Sequence, residues 1–330
     1  MNYNNLSTKL KKYDIDPANI IDIHVHIPEL NEETKKLLVE QPHSLIPADV
    51  VKETFGDLNL GSFKNKFGNM LGACALLPIE EHNIFGKSCP VYCSNATILR
   101  YARQYPEFII PFGSANLQDK NIPNHLKKLK DNGIIGIKYH ALEGYPLSDC
   151  HAALSVMEEL RMPLVVHTGD TPFQHVNLEH ADPKMLIPIA NDFPKLNILI
   201  THFATPLHFD AFWIASRYDN IFMDTAEYPL YWTNHPLNPY GPLLSPLHTK
   251  RIGIHKFIFG TDFPMPTLVQ NKNKIQSVSH HIGYYLNSLL DLPDEYLTPA
   301  EKKQILTQNV WSFLGKSRKE IIESNKKIEI

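Results

Sequence analysis

Eight short apolar runs recur along this 330-residue chain, and they restrict its fold more than any other feature. They are Ile20 to His26, Leu71 to Leu77, Phe108 to Phe112, Ile134 to Tyr139, Leu164 to His167, Ile198 to His202, Ile221 to Asp224 and Phe257 to Phe259. Each is bounded by Gly, Pro or polar residues and is apolar on both faces, the pattern of strands buried in a parallel sheet. Amphipathic segments separate several of them: Asn95 to Tyr105, Pro123 to Asn132, Ser148 to Arg161, Pro183 to Phe193 and Phe209 to Tyr218. Alternating strand and helix implies right-handed βαβ units. Eight units predict an α/β chain closed as a (β/α)8 TIM barrel, residues 1–330 forming one domain. An open doubly wound sheet is the alternative. Its dinucleotide-binding form would place Gly-x-Gly-x-x-Gly after the first strand, where this chain has Ile27-Pro28-Glu29-Leu30.

Two connections are long, residues 27–69 after the first strand and 226–255 after the seventh. The second is rich in Pro and aromatics, with Tyr228, Pro229, Tyr231, Trp232, Pro236, Pro239, Tyr240 and Pro242. In a barrel both rise from the C-terminal face, where ligands bind, so they are candidate substrate walls.

Composition narrows the class. The chain is 43% hydrophobic and 20% charged, as a globular protein is, and its formal charge of -3 provides no broad basic field for nucleic acid or anionic membrane. No apolar run is long enough to cross a bilayer, and the opening Met1-Asn2-Tyr3-Asn4-Asn5-Leu6 lacks a signal-peptide core. Cys74, Cys89, Cys93 and Cys150 have no metal-knuckle or redox spacing, so reduced thiols in a cytoplasmic protein are expected. The charged stretch from Lys316 to Lys327 reads as a solvated helix or tail.

Chemistry-bearing residues sit at the ends of the runs. In Ile20-Ile21-Asp22-Ile23-His24-Val25-His26 strict alternation puts Asp22, His24 and His26 on one face and Ile21, Ile23 and Val25 on the other. Two buried imidazoles side by side need a partner, and a divalent metal satisfies both at once. His167, His202 and Asp262 close the fifth, sixth and eighth runs, and Lys138 and His140 share a face of the fourth. A lone histidine at a strand end is more often structural, Asp262 alone could cap a turn, and Lys138 alone could snorkel to solvent. A parallel barrel, however, delivers every strand's C-terminal end to one rim, so residues far apart in sequence converge.

The set Asp22-x-His24-x-His26, Gly136-x-Lys138, Val166-His167-Thr168-Gly169, Thr201-His202 and Phe259-Gly260-Thr261-Asp262-Phe263-Pro264 resembles the amidohydrolase superfamily. It is most similar to the amidohydrolase-related branch that includes aminocarboxymuconate-semialdehyde decarboxylase and pyrone-dicarboxylate lactonase. Arg217 to Thr225 also looks like that branch's approach to its seventh strand. The resemblance implies a divalent metal, with zinc the expected ion, held by His24, His26, His167 and Asp262 with water in the open position. It implies that Asp262 moves the proton of that water and that His202 polarises the substrate carbonyl. Lys138 would either be carboxylated and bridge two metals or remain a cation for substrate, and His140 would share its fate as second ligand or substrate contact. Deoxyribonuclease-like relatives would carry a glutamate where Lys138 stands. Glu143 lies beyond the strand end.

Three classes follow: a hydrolase of a small lactone, ester or amide, a decarboxylase of an aromatic or unsaturated acid, and a non-catalytic metal- or ligand-binding barrel. Carboxylate substrates favour arginine clamps, yet Arg100, Arg103, Arg161, Arg217, Arg251 and Arg318 all fall away from the expected mouth. That favours an uncharged or aromatic small molecule and the hydrolase. A homodimer is what the resemblance implies for assembly.

Overall fold

A computed structural model describes residues 5–27, 59–78, 93–140, 144–170, 177–226, 240, 244–264, 268–271, 274–277 and 281–329. Glu143, Cys89 and the aromatic residues Tyr228, Tyr231 and Trp232 lie outside them. The chain begins with α1 (Leu6–Lys12), β1 (Ile21–Val25), α2 (Leu60–Phe67), β2 (Ala73–Leu76), α3 (Asn95–Gln104) and β3 (Ile109–Gly113). It continues through α4 (Ile122–Asp131), β4 (Gly136–Tyr139), α5 (His151–Leu160), β5 (Leu164–Val166), α6 (Leu186–Asp192) and β6 (Ile198–Ile200). Next come α7 (His208–Ala215), β7 (Ile221–Asp224), α8 (Pro246–Ile252) and β8 (Phe257–Ile258), then a small hairpin of β9 (Leu268–Asn271) and β10 (Lys274–Ser277). Four helices finish it: α9 (His281–Leu290), α10 (Pro299–Thr307), α11 (Asn309–Leu314) and α12 (Arg318–Lys326).

All eight expected runs form strands, and the sheet order is β1 to β8 in sequence with every neighbouring pair parallel. The barrel closes where Ile23 N donates to Phe259 O and Val25 bridges Phe263. This is the (β/α)8 TIM barrel expected from the alternation. Helix boundaries follow local chemistry: the Ser94 side chain caps α3, which stops before Pro106, and α4 carries Pro at its first turn. Two segments read as single helices are divided. A 3-10 turn, Leu147–Asp149, precedes α5, and another, Pro183–Met185, precedes α6.

Alternation sorts strand side chains into two buried layers. Ile21, Ile23, Ala73, Ala75, Ile110, Val165, Leu199, Phe222 and Ile258 fill the lumen, while Leu76, Ile109, Leu164, Ile198, Ile221 and Phe257 pack outward against the helices. In β1 the alternation slips. Val25 joins the outer layer although Ile21 and Ile23 face inward, and the register with β2 shifts between Asp22 and Val25. Strict alternation would have kept Val25 with Ile21 and Ile23, so that expectation is corrected. A bulge of this kind re-aims side chains at a barrel rim, and here it brings His24 and His26 over the apolar lumen.

The terminal stretch is also corrected. Residues 318–326 do form a helix, but one docked under the barrel: Ile321 is buried, Asn325 donates to Pro106 O and Ile109 O, and Arg318 donates to Ala18 O, Gly72 O and Glu107 O. No helix among the described residues is long and apolar enough to cross a membrane.

Candidate metal centre

Above the last apolar layer of the lumen, the strands deliver polar side chains. His24, His26, Lys138, His140, His167, His202 and Asp262 are all buried, none more than 6% exposed. The rings form a chain: His26 to His24 at 5.1 Å between centroids, His24 to His202 at 4.9 Å, His202 to His167 at 5.1 Å, and His167 stacked on His140 at 4.1 Å. All seven residues singled out in the sequence therefore meet in one place.

Most arrive by simple alternation. Val165 faces in and Val166 out, so His167 faces in; Ile137 faces out, so Lys138 faces in. His202 does not follow this rule. Leu199 is inner and Ile200 outer, which hands the next inner position to Thr201 and an outer one to His202. Left-handed backbone at His202, Phe203 and Ala204, with φ of 59°, 49° and 54°, turns the His202 ring back onto the site. Asp262 is left-handed as well, at φ 56°. Such conformations cost ~1–3 kcal/mol each in residues with a Cβ and persist only where the surroundings fix them.

The surroundings are specific. Gly169, at φ +89°, lies where an added Cβ would stand 2.3 Å from Thr205 O, and Asp170 N donates to that oxygen at 2.7 Å. The loop after β5 and the loop after β6 thus interlock through a glycine. Asp22 accepts from Thr261 N at 3.1 Å, from the Thr261 hydroxyl at 2.6 Å and from His24 N at 3.0 Å, tying β1 to the residue before Asp262. Asp22 therefore braces the site rather than facing it with the two histidines. Asp224, at the end of β7, accepts from His24 Nδ1 at 2.8 Å, His202 N at 2.7 Å and Ala226 N at 3.1 Å. The sequence reading assigned Asp224 no role, although it closes a buried run just as His167 and His202 do.

The donor set fits a cation. His26 Nδ1 lies 2.7 Å from Leu77 O, which only accepts, so Nδ1 carries the proton and Nε2 presents a lone pair. His24 Nδ1 faces the Asp224 carboxylate, which leaves its Nε2 in the same state. These two nitrogens stand 3.2 Å apart, and Asp262 Oδ1 is 3.0 Å from one and 3.2 Å from the other. Three lone-pair donors face one another with no proton required between them, an arrangement that a cation completes. His24, His202 and Asp262 each offer a ligand atom within 4.8 Å of the others, and the buried His167 Nε2 has no hydrogen-bond partner among the described residues. The structure thus groups His202 with His24 and Asp262, two of the residues the resemblance implied as ligands.

Charge states agree at four of the five histidines. Burial, then the nearby Lys138 ammonium, holds His167 at about 3, and burial with the neighbouring cationic groups drives His140 and His202 well below the usual imidazole value. His26 is lowered mainly by burial. Asp262 is pushed up by burial, but His24 and the other imidazoles outweigh this and hold it well below the carboxylate range. His24 moves the other way: burial lowers it, but the Asp262 and Asp224 carboxylates outweigh this and raise it above the usual imidazole value, so a cation would displace a proton at His24 while meeting neutral imidazoles at the other four histidines.

A parallel barrel with a histidine and carboxylate cluster at the C-terminal rim defines an α/β-barrel enzyme with a candidate metal site. The chain belongs to the amidohydrolase family, whose model matches residues 21–310. A dihydroorotase from Vibrio campbellii is 30% identical over 151 residues, 41% of this chain and 43% of that one, so the chain spans less than half the length of this relative. Among solved structures, a probable 2-pyrone-4,6-dicarboxylic acid hydrolase from Acinetobacter baumannii is similar with a TM-score of 0.56, 17% identity and coverage of 90% of this chain and 100% of that one. A manganese-bound 5-carboxyvanillate decarboxylase from Novosphingobium aromaticivorans is similar with a TM-score of 0.60, 12% identity and coverage of 90% and 96%. At these identities both structures speak for the fold.

Proposed function

We propose that this amidohydrolase-family enzyme is a metal-dependent hydrolase acting on a small lactone, ester or amide. The observation that carries the reading is the convergence of His24 Nε2, His26 Nε2 and Asp262 Oδ1 within 3.0 to 3.2 Å of one another. His24, His26, His167 and Asp262 would hold the ion, with His202 beside them and zinc the expected metal. A divalent ion bound there would supply a water acidified toward neutrality. Asp262, ionised and in reach of both imidazoles, would then be placed to take a proton from such a water and return it to the leaving group. His202 turns toward the same space, where it stabilises charge developing on the carbonyl oxygen. The apolar lumen beneath keeps bulk water from the floor of the site.

Lys138 supports a second reading, decarboxylation. It is a buried cation beside the histidines, suited to a substrate carboxylate, or to carboxylation and a second metal with His140. Against it, all six arginines are described and lie on helices or their flanks rather than among these residues. A panel of lactones, amides and aromatic acids, assayed in ¹⁸O-labelled water with zinc or manganese, separates the two. Label in a carboxylate product is expected. Carbon dioxide release with no label in the organic product would establish the lyase instead.

A further inference from the structure

We propose that Asp224 is a positioning residue that sets two parts of the site at once, the ring of His24 and the left-handed turn carrying His202. The proposal rests on the metal reading above for its functional meaning, but its geometry stands without it. Asp224 is fully buried, and its two carboxylate oxygens take three N–H groups. Oδ2 takes His24 Nδ1 at 2.8 Å, while Oδ1 takes the main-chain N–H of His202 at 2.7 Å and of Ala226 at 3.1 Å.

Each bond has a separate consequence. The bond to His24 keeps its proton on Nδ1, so that the lone pair at Nε2 points at Asp262 and His26. The bond to His202 N holds the first residue of a segment in which three consecutive residues with a Cβ have positive φ. Without an acceptor there, that N–H would be buried and unsatisfied, and the chain would have reason to leave the strained conformation. A ligand on β1 and the carbonyl-polarising residue after β6 are thus referenced to one side chain on β7.

An asparagine cannot replace it. Its amide has one acceptor oxygen and a donor NH2, so whichever way it turns, a donor meets either His24 Nδ1–H or the His202 and Ala226 amides. Either His24 shifts its proton to Nε2, where ligation is blocked, or the turn loses its anchor. A merely structural carboxylate would lower stability without moving either of these.

The test uses the full-length chain with three readouts: ¹⁵N NMR of the His24 ring in metal-free protein, amide exchange over residues 200–206, and zinc affinity by chelator competition. Wild type should carry a proton on His24 Nδ1. Asp224→Asn should lose 10–100-fold in zinc affinity and show either a proton moved to Nε2 or faster exchange at His202 to Ala204. Met223→Ala, which cuts a cavity on the outer face of the same strand, should lower thermal stability while keeping zinc affinity within twofold. The proposal is overturned if wild-type His24 Nδ1 is unprotonated, a result that needs no folded variant. It is equally overturned if Asp224→Asn leaves both the ring and the exchange rates as in wild type, or if Met223→Ala weakens zinc binding as much. Should no variant and no wild-type sample bind zinc or manganese, the metal reading fails while the ring and exchange data still decide the role of Asp224.

Discussion

At the scale of single residues, the rim holds four of its five imidazoles neutral against their tendency to protonate in acid. His167 is the clearest case, buried and held at about 3. A histidine whose folded value lies below the ~6.5 of the unfolded chain stabilises the fold above that pH and loses the contribution as pH falls toward 3. Fully expressed, the difference amounts to ~5 kcal/mol. His26, His140 and His202 are shifted the same way and likewise lose their contribution as pH falls below ~6.5. Asp22 has the opposite sign: burial raises it to about 7, so its contribution is full below ~3.9 and fades as pH rises to 7. His24 is raised as well and works in the same direction as Asp22, but the four lowered histidines outnumber these two, so the metal-free protein should lose stability on acidification from pH 7 to 5 in urea titrations with chelator present. His167→Gln should make that slope shallower by up to ~1 kcal/mol per pH unit. An unchanged slope would show that His167 is protonated in the native state. His24→Ala removes one of the three converging lone pairs and should reduce bound zinc, measured by elemental analysis of dialysed protein, at least tenfold.

At the scale of elements, the strands were legible because burial on both faces leaves an apolar run that little else produces, and Ile198 to Ile200 or Leu164 to Val166 stand out unaided. What lies just past them was less legible. The slip in β1 depends on pairing with β2 and β8, so nothing in Asp22-Ile23-His24-Val25 announces it. His202 does reach the cluster, but its route inward runs through three left-handed residues that no local pattern requires. Asp224 was visible and passed over, because a carboxylate ending a strand suggests a cap before a histidine partner. The interlock of the loops after β5 and β6 gives an element-scale prediction. Gly169 and Gly315 both have positive φ, yet a Cβ meets Thr205 O at 2.3 Å at the first and nothing within 4 Å at the second. Gly315→Ala should cost about 1 kcal/mol, the conformational term alone. Gly169→Ala should cost more than twice that in denaturant unfolding and also weaken zinc binding, because His167 and His202 flank the interlock. Equal costs would mean that the two loops do not constrain each other.

At the scale of the whole molecule, the barrel is two ends with different tasks. The C-terminal end carries the histidines, and the N-terminal end is stoppered by α11, whose Phe313 reaches the lumen layer. Its ring stacks parallel to Phe112 at 6.5 Å and meets Phe222 edge-on at 5.5 Å, beside Val310 and Leu314. The charged composition around residues 316–327 conceals this docking, since α12 contacts the barrel mainly through Ile321, Asn325 and Arg318, too few residues to leave an apolar stripe. The division predicts that stability and chemistry can be separated. Phe313→Ala opens a void among aromatic and aliphatic side chains and should cost about 3–5 kcal/mol, as large-to-small core changes do. Val165, Leu199, Ile21 and Ile23 lie between that void and the rim, one to three residues before His167, His202 and His24 on their strands. Effects at sites without shared partners add rather than couple, so zinc affinity should stay within twofold of wild type while the unfolding midpoint falls. A parallel loss of metal affinity would mean that the lumen transmits strain from floor to rim, and that the geometry of His24 and His26 depends on the plug beneath them.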